Sequence, residues 1–208
     1  VRWSGRRFSV QRDGGLSLSR AQLDDRLLDA AVSAGAAVLL ETTARVLPCD
    51  KPTGLDTSHS DRAFRHVALD QSGVRVSIAA TRLVIAADGL ARRSLRDLTE
   101  FTVQTASDSW IGLHAVIPVE GDIPRAGQVV MAAASGGYVG AVRIEPAPGE
   151  TVCRVNMAAA VSPTRLAQAD NPAAPGSSLL EEAGVPVPAS IPSATWRGTG
   201  PLTRQSLV

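Results

Sequence analysis

The sequence predicts an α/β first half feeding a β-rich second half, α+β overall, with a boundary near residue 100. Three observations predict it. Apolar residues recur at helical spacing between Ser19 and Ala34. Short apolar or alternating runs, separated by turn signals, fill residues 36–86. Four β-rich segments at fairly regular spacing then occupy residues 110–161, the pattern of an antiparallel sheet.

Each element has a local cause. Arg7 to Val10 reads as a strand, and Asp13-Gly14-Gly15 as a turn. Ser19 is a good N-cap, and Gln22 three residues on completes a capping box. Leu23, Leu27, Ala30, Ala31 and Ala34 form one apolar face of the helix that follows, which Gly35 ends. Ala36–Leu40 continues as a strand through Thr42–Leu47, until Pro48 stops it. Cys49–Asp61, rich in Pro, Gly, Ser, Thr and Asp, reads as a surface loop. Phe64–Leu69 and Val74–Ala79 form a hairpin through Asp70-Gln71-Ser72-Gly73, and Thr81–Ala86 is a further strand that ends at Asp88-Gly89. In the second half, Trp110–Val119, Gln128–Ala133, Gly137–Glu145 and Thr151–Val161 are strands. Leu166–Ala169 and Ser178–Ala183 are short helices in a Pro-, Ala- and Ser-rich tail.

Composition narrows the function. The 208 residues carry 21 Lys+Arg against 20 Asp+Glu, a net charge of +1, which argues against a nucleic-acid module. Aromatics are 3%, too few for a base-stacking surface. Cys49 and Cys153 lie far apart without a CxxC partner, which points to a reducing cytoplasm rather than a zinc site or a disulfide framework. No stretch is long and apolar enough to span a membrane, which leaves peripheral association open. The chain begins at Val1 rather than Met, so a leader is not tested by its start.

Few residues suggest chemistry directly. Asp88 follows a buried-looking strand, where a carboxylate can accept from a sugar hydroxyl, and Gly89 permits a sharp turn; on the dipeptide alone a plain β-turn with a solvated Asp is the commoner explanation. Arg20 opens the capped helix, where a guanidinium beside free N–H groups can hold a pyrophosphate, or simply be solvated. His59, His66 and His114 share no metal-ligand spacing, so no metal is expected. His114, alternating with Leu113 and Ala115, is the one suited to a substrate pocket. Gly136-Gly137-Tyr138-Val139-Gly140 marks either a strand leaving a turn or a close approach by a ligand. No GxSxG, HExxH, P-loop or paired-carboxylate motif appears, and the catalytic residues are not identified.

The combination of Ser19-Arg20-Ala21-Gln22-Leu23-Asp24, the helix to Ala34, Gly35-Ala36-Ala37-Val38 and Thr81-Arg82-Leu83-Val84-Ile85-Ala86-Ala87-Asp88-Gly89 resembles one family. It is the FAD-dependent oxidoreductases of the aromatic-hydroxylase and geranylgeranyl-reductase type, with the flavin halogenases as relatives. Gly137 to Arg143 is similar to a substrate-domain strand of the reductase-like members, and Trp196 to Leu202 to the approach to the last flavin motif. The resemblance implies a partial Rossmann-like FAD-binding domain over 1–100. It implies an antiparallel substrate domain over 101–208, with a return segment toward the FAD domain. It also implies FAD as cofactor and NAD(P)H as reductant. Arg20, Val46, Asp88 and Gly89 are the implied cofactor contacts, Val46 through the adenine, and His114 and Tyr138 line a substrate pocket. The implied partner is an apolar or aromatic small molecule that is reduced, hydroxylated or halogenated.

Departures accompany the matches. The family's GxGxxG turn is absent, and Gly121-Asp122 is not where its Gly-Asp motif belongs. Arg92 stands where the family has a serine after Asp-Gly, with Ser94 displaced along the chain. The expectation is therefore the middle portion of a flavoprotein. The alternative is a truncated non-catalytic remnant, or a small-ligand-binding α/β module without turnover.

Overall fold

A computed structural model describes residues 2–3, 6–7, 9–11, 14–48, 64–119, 124–202 and 204–206. The architecture is α+β, built on antiparallel sheets with a few helices. Contacts divide the chain into two units, Val1–Ala34 with Ala106–Thr203, and Gly35–Thr105 with Arg204–Val208. The units do not coincide with 1–100 and 101–208, because residues 1–34 group with the second half.

In the first unit the short strands β1 (Arg2–Trp3) and β2 (Arg6–Arg7) precede helix α1 (Arg20–Ser33). Ser19 caps the helix, its hydroxyl accepting the Gln22 amide at 3.1 Å, but the expected capping box does not close: the Ser19 N–H goes to Glu145 and not to the Gln22 side chain. Ser17 Oγ donates to the Arg143 carbonyl at 2.7 Å, and the Ser19 amide to Glu145 Oε2 at 2.8 Å. These bonds tie the start of α1 to residues 143–145. The expected burial of its apolar face does not occur: no residue of α1 is buried. Leu23, Leu27 and Val32 face outward because no described element packs over them.

The main sheet of this unit is the one the sequence predicts over 110–161. Its long strands are β7 (Ile111–Pro118), β8 (Val129–Ala134), β9 (Gly137–Ile144) and β10 (Arg154–Val161). With β11 (Arg197–Pro201), the order is β11-β7-β10-β9-β8-β1-β2. All pairings are antiparallel except β1 with β8. Period-two alternation sends Leu113, Ile117, Val139, Val155, Met157 and Val161 to one buried face. Helices α2 (Pro163–Ala167) and α3 (Ala174–Glu182) belong to this unit. α3 lies against β8 and β9, placing Leu179 and Leu180 in the same core. Trp196 packs there too, its indole N–H donating to the Ile191 carbonyl at 3.2 Å. Gly137 is required on this face, since a Cβ would sit 2.8 Å from the Ala160 carbonyl oxygen.

The second unit holds β3 (Thr42–Val46), β4 (Arg65–Gln71) and β5 (Val74–Thr81) as an antiparallel sheet, with β6 (Val103–Thr105) pairing β12 (Arg204–Ser206). The hairpin turn sits at Ser72 (φ +50°) and Gly73 (φ +83°), both left-handed, as a tight two-residue turn demands. Asp70 binds both Arg45 (3.0 Å) and Arg75 (2.7 Å) across the three strands.

Two expected strands are corrected here. Ala36–Leu40 is not a strand, and β3 begins only at Thr42, after Glu41 takes a left-handed φ of +53°. Likewise the expected strand over Thr81–Ala86 stops with β5 at Thr81, and residues 83–87 join no sheet among the described residues. Apolar, β-branched composition favours a strand, but a strand forms only where a neighbour takes its N–H and C=O groups. Leu83 and Ile85 are accordingly 73% and 80% exposed. The loop over Cys49–Asp61, His59, Phe8, Asp13 and Gly121-Asp122 lie outside the described residues.

Candidate functional site

The face of the large sheet opposite the helices exposes His114, Val116, Ala158 and Tyr138, while Gly112 and Ala160 on it are buried, Gly112 beneath Thr199 and Leu202. Alternation and register place Gly112, His114 and Val116 of β7, Asn156, Ala158 and Ala160 of β10, and Tyr138 and Gly140 of β9 on it. Small residues form the floor: Gly112 pairs with Ala160, which pairs with Tyr138, and His114 pairs with Ala158, which pairs with Gly140. Polar and aromatic groups rise from that floor. His114 Nε2 meets Asn156 Oδ1 at 2.7 Å. The Trp110 and Tyr138 rings lie 6.1 Å apart between centroids, tilted by 44°, a separation at which aromatic pairs attract. Both rings keep more than a third of their surface exposed. Two strand spacings and a two-residue offset separate Tyr138 from His114, roughly 12 Å between Cα atoms. The two predicted pocket residues therefore share one face.

Trp110 and Asn156 were not legible as partners from the sequence. Trp110 stands just before β7, and only the register, which puts Tyr138 level with Ala160 and Gly112, brings the rings together. Asn156 becomes visible only once β10 is known to run beside β7.

The remaining predicted residues divide between the units. Arg20, in the first unit, is exposed, and its Nε lies 2.8 and 2.9 Å from the two carboxylate oxygens of Asp24. That hydrogen bond, with the charge of Asp24, pushes the guanidinium pKa up. Val46, Asp88 and Gly89 belong to the second unit. Val46 is buried in β3 and lines a cavity of about 300 Å³. Leu83, Val84, Leu98 and Phe101 supply other apolar walls, and Arg65 and Arg82 the cationic ones. Arg82 also lies 5.9 Å from the Phe64 ring centroid, within cation–π range.

Asp88 follows two residues after Ala86, another wall residue of that cavity. Its Oδ2 accepts the backbone N–H of Ser94 at 2.7 Å, and this bond, outweighing the opposite effect of burial, holds the carboxyl below the usual carboxylate range. Gly89 has φ +78°, a conformation a glycine adopts freely.

These residues can be tested against a bound FAD. An apolar cavity of this size with cationic walls suits a flat heterocycle next to phosphate, and an ionised Asp88 suits a ribose hydroxyl. They fit the adenosine end of the cofactor. No glycine-rich turn at a helix N-terminus, the usual pyrophosphate cradle, occurs among the described residues. No group of His, Cys, Asp and Glu among the described residues is arranged to hold a metal ion. No described helix is long and apolar enough to cross a membrane. Neither known protein-family models nor curated proteins match this chain.

Proposed function

We propose that this chain is the middle portion of an FAD-dependent oxidoreductase, a reductase or monooxygenase of the cytoplasm that acts on an apolar or aromatic small molecule. The observation that carries the reading is the sheet face where the Trp110 and Tyr138 rings and Ala158 are exposed, with the His114–Asn156 pair beside them. Two exposed aromatic rings beside a small residue, Ala158, favour a planar apolar ligand. The histidine–asparagine pair offers that ligand one polar contact.

The Val46 cavity and the ionised Asp88 support a role for the second unit in nucleotide binding. In this reading Val46, Val84 and Phe101 enclose the adenine, while Asp88 accepts from the ribose. When bound, the flavin supplies the hydride and electron transfer, with NAD(P)H as the reductant. The protein supplies position and exclusion of water.

The test is to express the complete reading frame that contains this chain, load it with FAD, and follow NAD(P)H consumption with and without oxygen. Bound flavin that NAD(P)H reduces supports the proposal, and the oxygen dependence separates monooxygenase from reductase. A protein that binds a planar apolar ligand but no flavin favours a binding module instead.

A further inference from the structure

A second cavity lies in the first unit, on the side of the sheet that the helices cover, and the reading above does not use it. We propose that it is a binding site for a small hydroxyl-rich molecule carrying a protonated amine. The cleft measures about 630 Å³ and opens between the β8–β9 turn, α2 and α3. That is within the size range of small-molecule sites and larger than a single sugar ring needs.

The chemistry follows from which polar groups are already engaged. The one cation in the wall, Arg165, would ordinarily suggest an anion site. Its Nη1 donates to the Ser135 carbonyl, and its Nη2 to Ser178 Oγ and to the Glu182 carboxylate. Its Nε is sealed from solvent. Four of its five N–H groups are thus spent or sealed, which leaves one Nη1 N–H against two carboxylates in the wall. The N-terminal end of α3 is closed in the same way. Asn171 Oδ1 accepts from the amides of Ala173 (2.9 Å) and Ala174 (3.0 Å), and Pro175 has no N–H to offer.

What remains open to a ligand is different in kind. The side chains of Thr164, Gln168 and Asp170 line the cleft and make no hydrogen bond or ion pair with the described residues. A hydroxyl and an amide can exchange hydrogen bonds with ligand hydroxyls, and a free carboxylate takes an ammonium. Glu182 and Asp170 against Arg165 leave the walls with a formal charge of −1 (one cation, two carboxylates). Anions are repelled and cations attracted.

Three probes of one ring shape test this: glucosamine, glucose and glucuronate, each titrated at pH 6.5 into the full 208-residue chain and followed by calorimetry or ligand-observed NMR. The expected order is glucosamine tightest, about fivefold over glucose, with glucuronate weakest. Asp170→Asn, at an exposed position, should bring glucosamine down to the level of glucose and leave glucose and the melting temperature unchanged. The proposal is overturned by no saturable binding of glucosamine, by glucuronate binding as well as glucosamine, or by a glucosamine preference that survives Asp170→Asn.

Discussion

Asp88 and Ser94 are joined by a 2.7 Å hydrogen bond from the Ser94 amide to the Asp88 carboxylate, closing a turn in which Gly89 and Arg92 both take left-handed conformations. A serine displaced along the chain thus still meets the aspartate, through its backbone rather than its side chain. The bond fixes the carboxylate as an anion at the end of the apolar run that lines the Val46 cavity.

That bond makes one prediction about acid. Asp88 is held below its ordinary pKa by the Ser94 amide, and Asp70 by Arg75 and then Arg45. Burial raises the Glu145 carboxyl, but hydrogen bonds from Ser19 outweigh it and the net shift is again downward. A carboxylate with a depressed folded-state pKa stabilises the fold above its unfolded value, roughly 4, and loses that contribution as pH falls toward the folded value. The melting temperature should hold level from pH 7 to about 5 as far as these groups act, then drop below about 4. Asp70→Asn and Asp88→Asn should each lower stability at pH 7 and flatten the acid side of the profile. An unchanged acid profile in both variants would contradict these assignments.

Two glycines of β9 should respond oppositely to the same substitution. A Cβ at Gly137 meets the Ala160 backbone oxygen at 2.8 Å, whereas one at Gly140 meets only the end of the Met131 side chain. Gly137→Ala should cost about 1–3 kcal/mol in denaturant unfolding, because backbone in a sheet cannot swing aside. Gly140→Ala should be nearly neutral for stability, since Met131 can turn away.

The helix and core set two further magnitudes. Ser19→Ala removes the acceptor for the Gln22 amide and should destabilise α1 by about 1 kcal/mol, while Ser19→Asp should restore the cap. Leu179 is fully buried between α3 and the sheet, so Leu179→Ala should cost about 2–5 kcal/mol. Circular dichroism with denaturant titration measures both.

The legible parts of this fold were those whose cause is local. Ser19, Gln22 and Gly35 bracket α1 from sequence alone, and Ser72-Gly73 and the strands from Ile111 to Val161 follow from turn chemistry and alternation. Ala36–Leu40 and Leu83–Ala87 misled because an apolar run specifies a preference and not a partner. The burial of α1 failed for the same reason: Leu23 and Leu27 need something to pack against. At the candidate site, Tyr138 and His114 stood out by rarity and alternation. Their neighbours Trp110 and Asn156 depend on strand register, and the Arg165 cleft depends on the packing of α2 and α3, which no spacing encodes.

The face bearing Trp110 and Tyr138 predicts a division of effects in the flavin-loaded enzyme. Trp110→Ala and Tyr138→Ala should raise KM for an aromatic substrate about tenfold, by loss of apolar contact area, and leave flavin reduction by NAD(P)H unchanged. Val84→Trp, which fills the Val46 cavity, should do the reverse and weaken FAD binding.

The central claim is that this chain is part of a flavoprotein. Its most direct test is the visible absorbance spectrum of the protein from the complete reading frame, after FAD loading and dialysis. The account predicts stoichiometric flavin bands that bleach on anaerobic addition of NAD(P)H. A colourless complete protein at saturating FAD would contradict it.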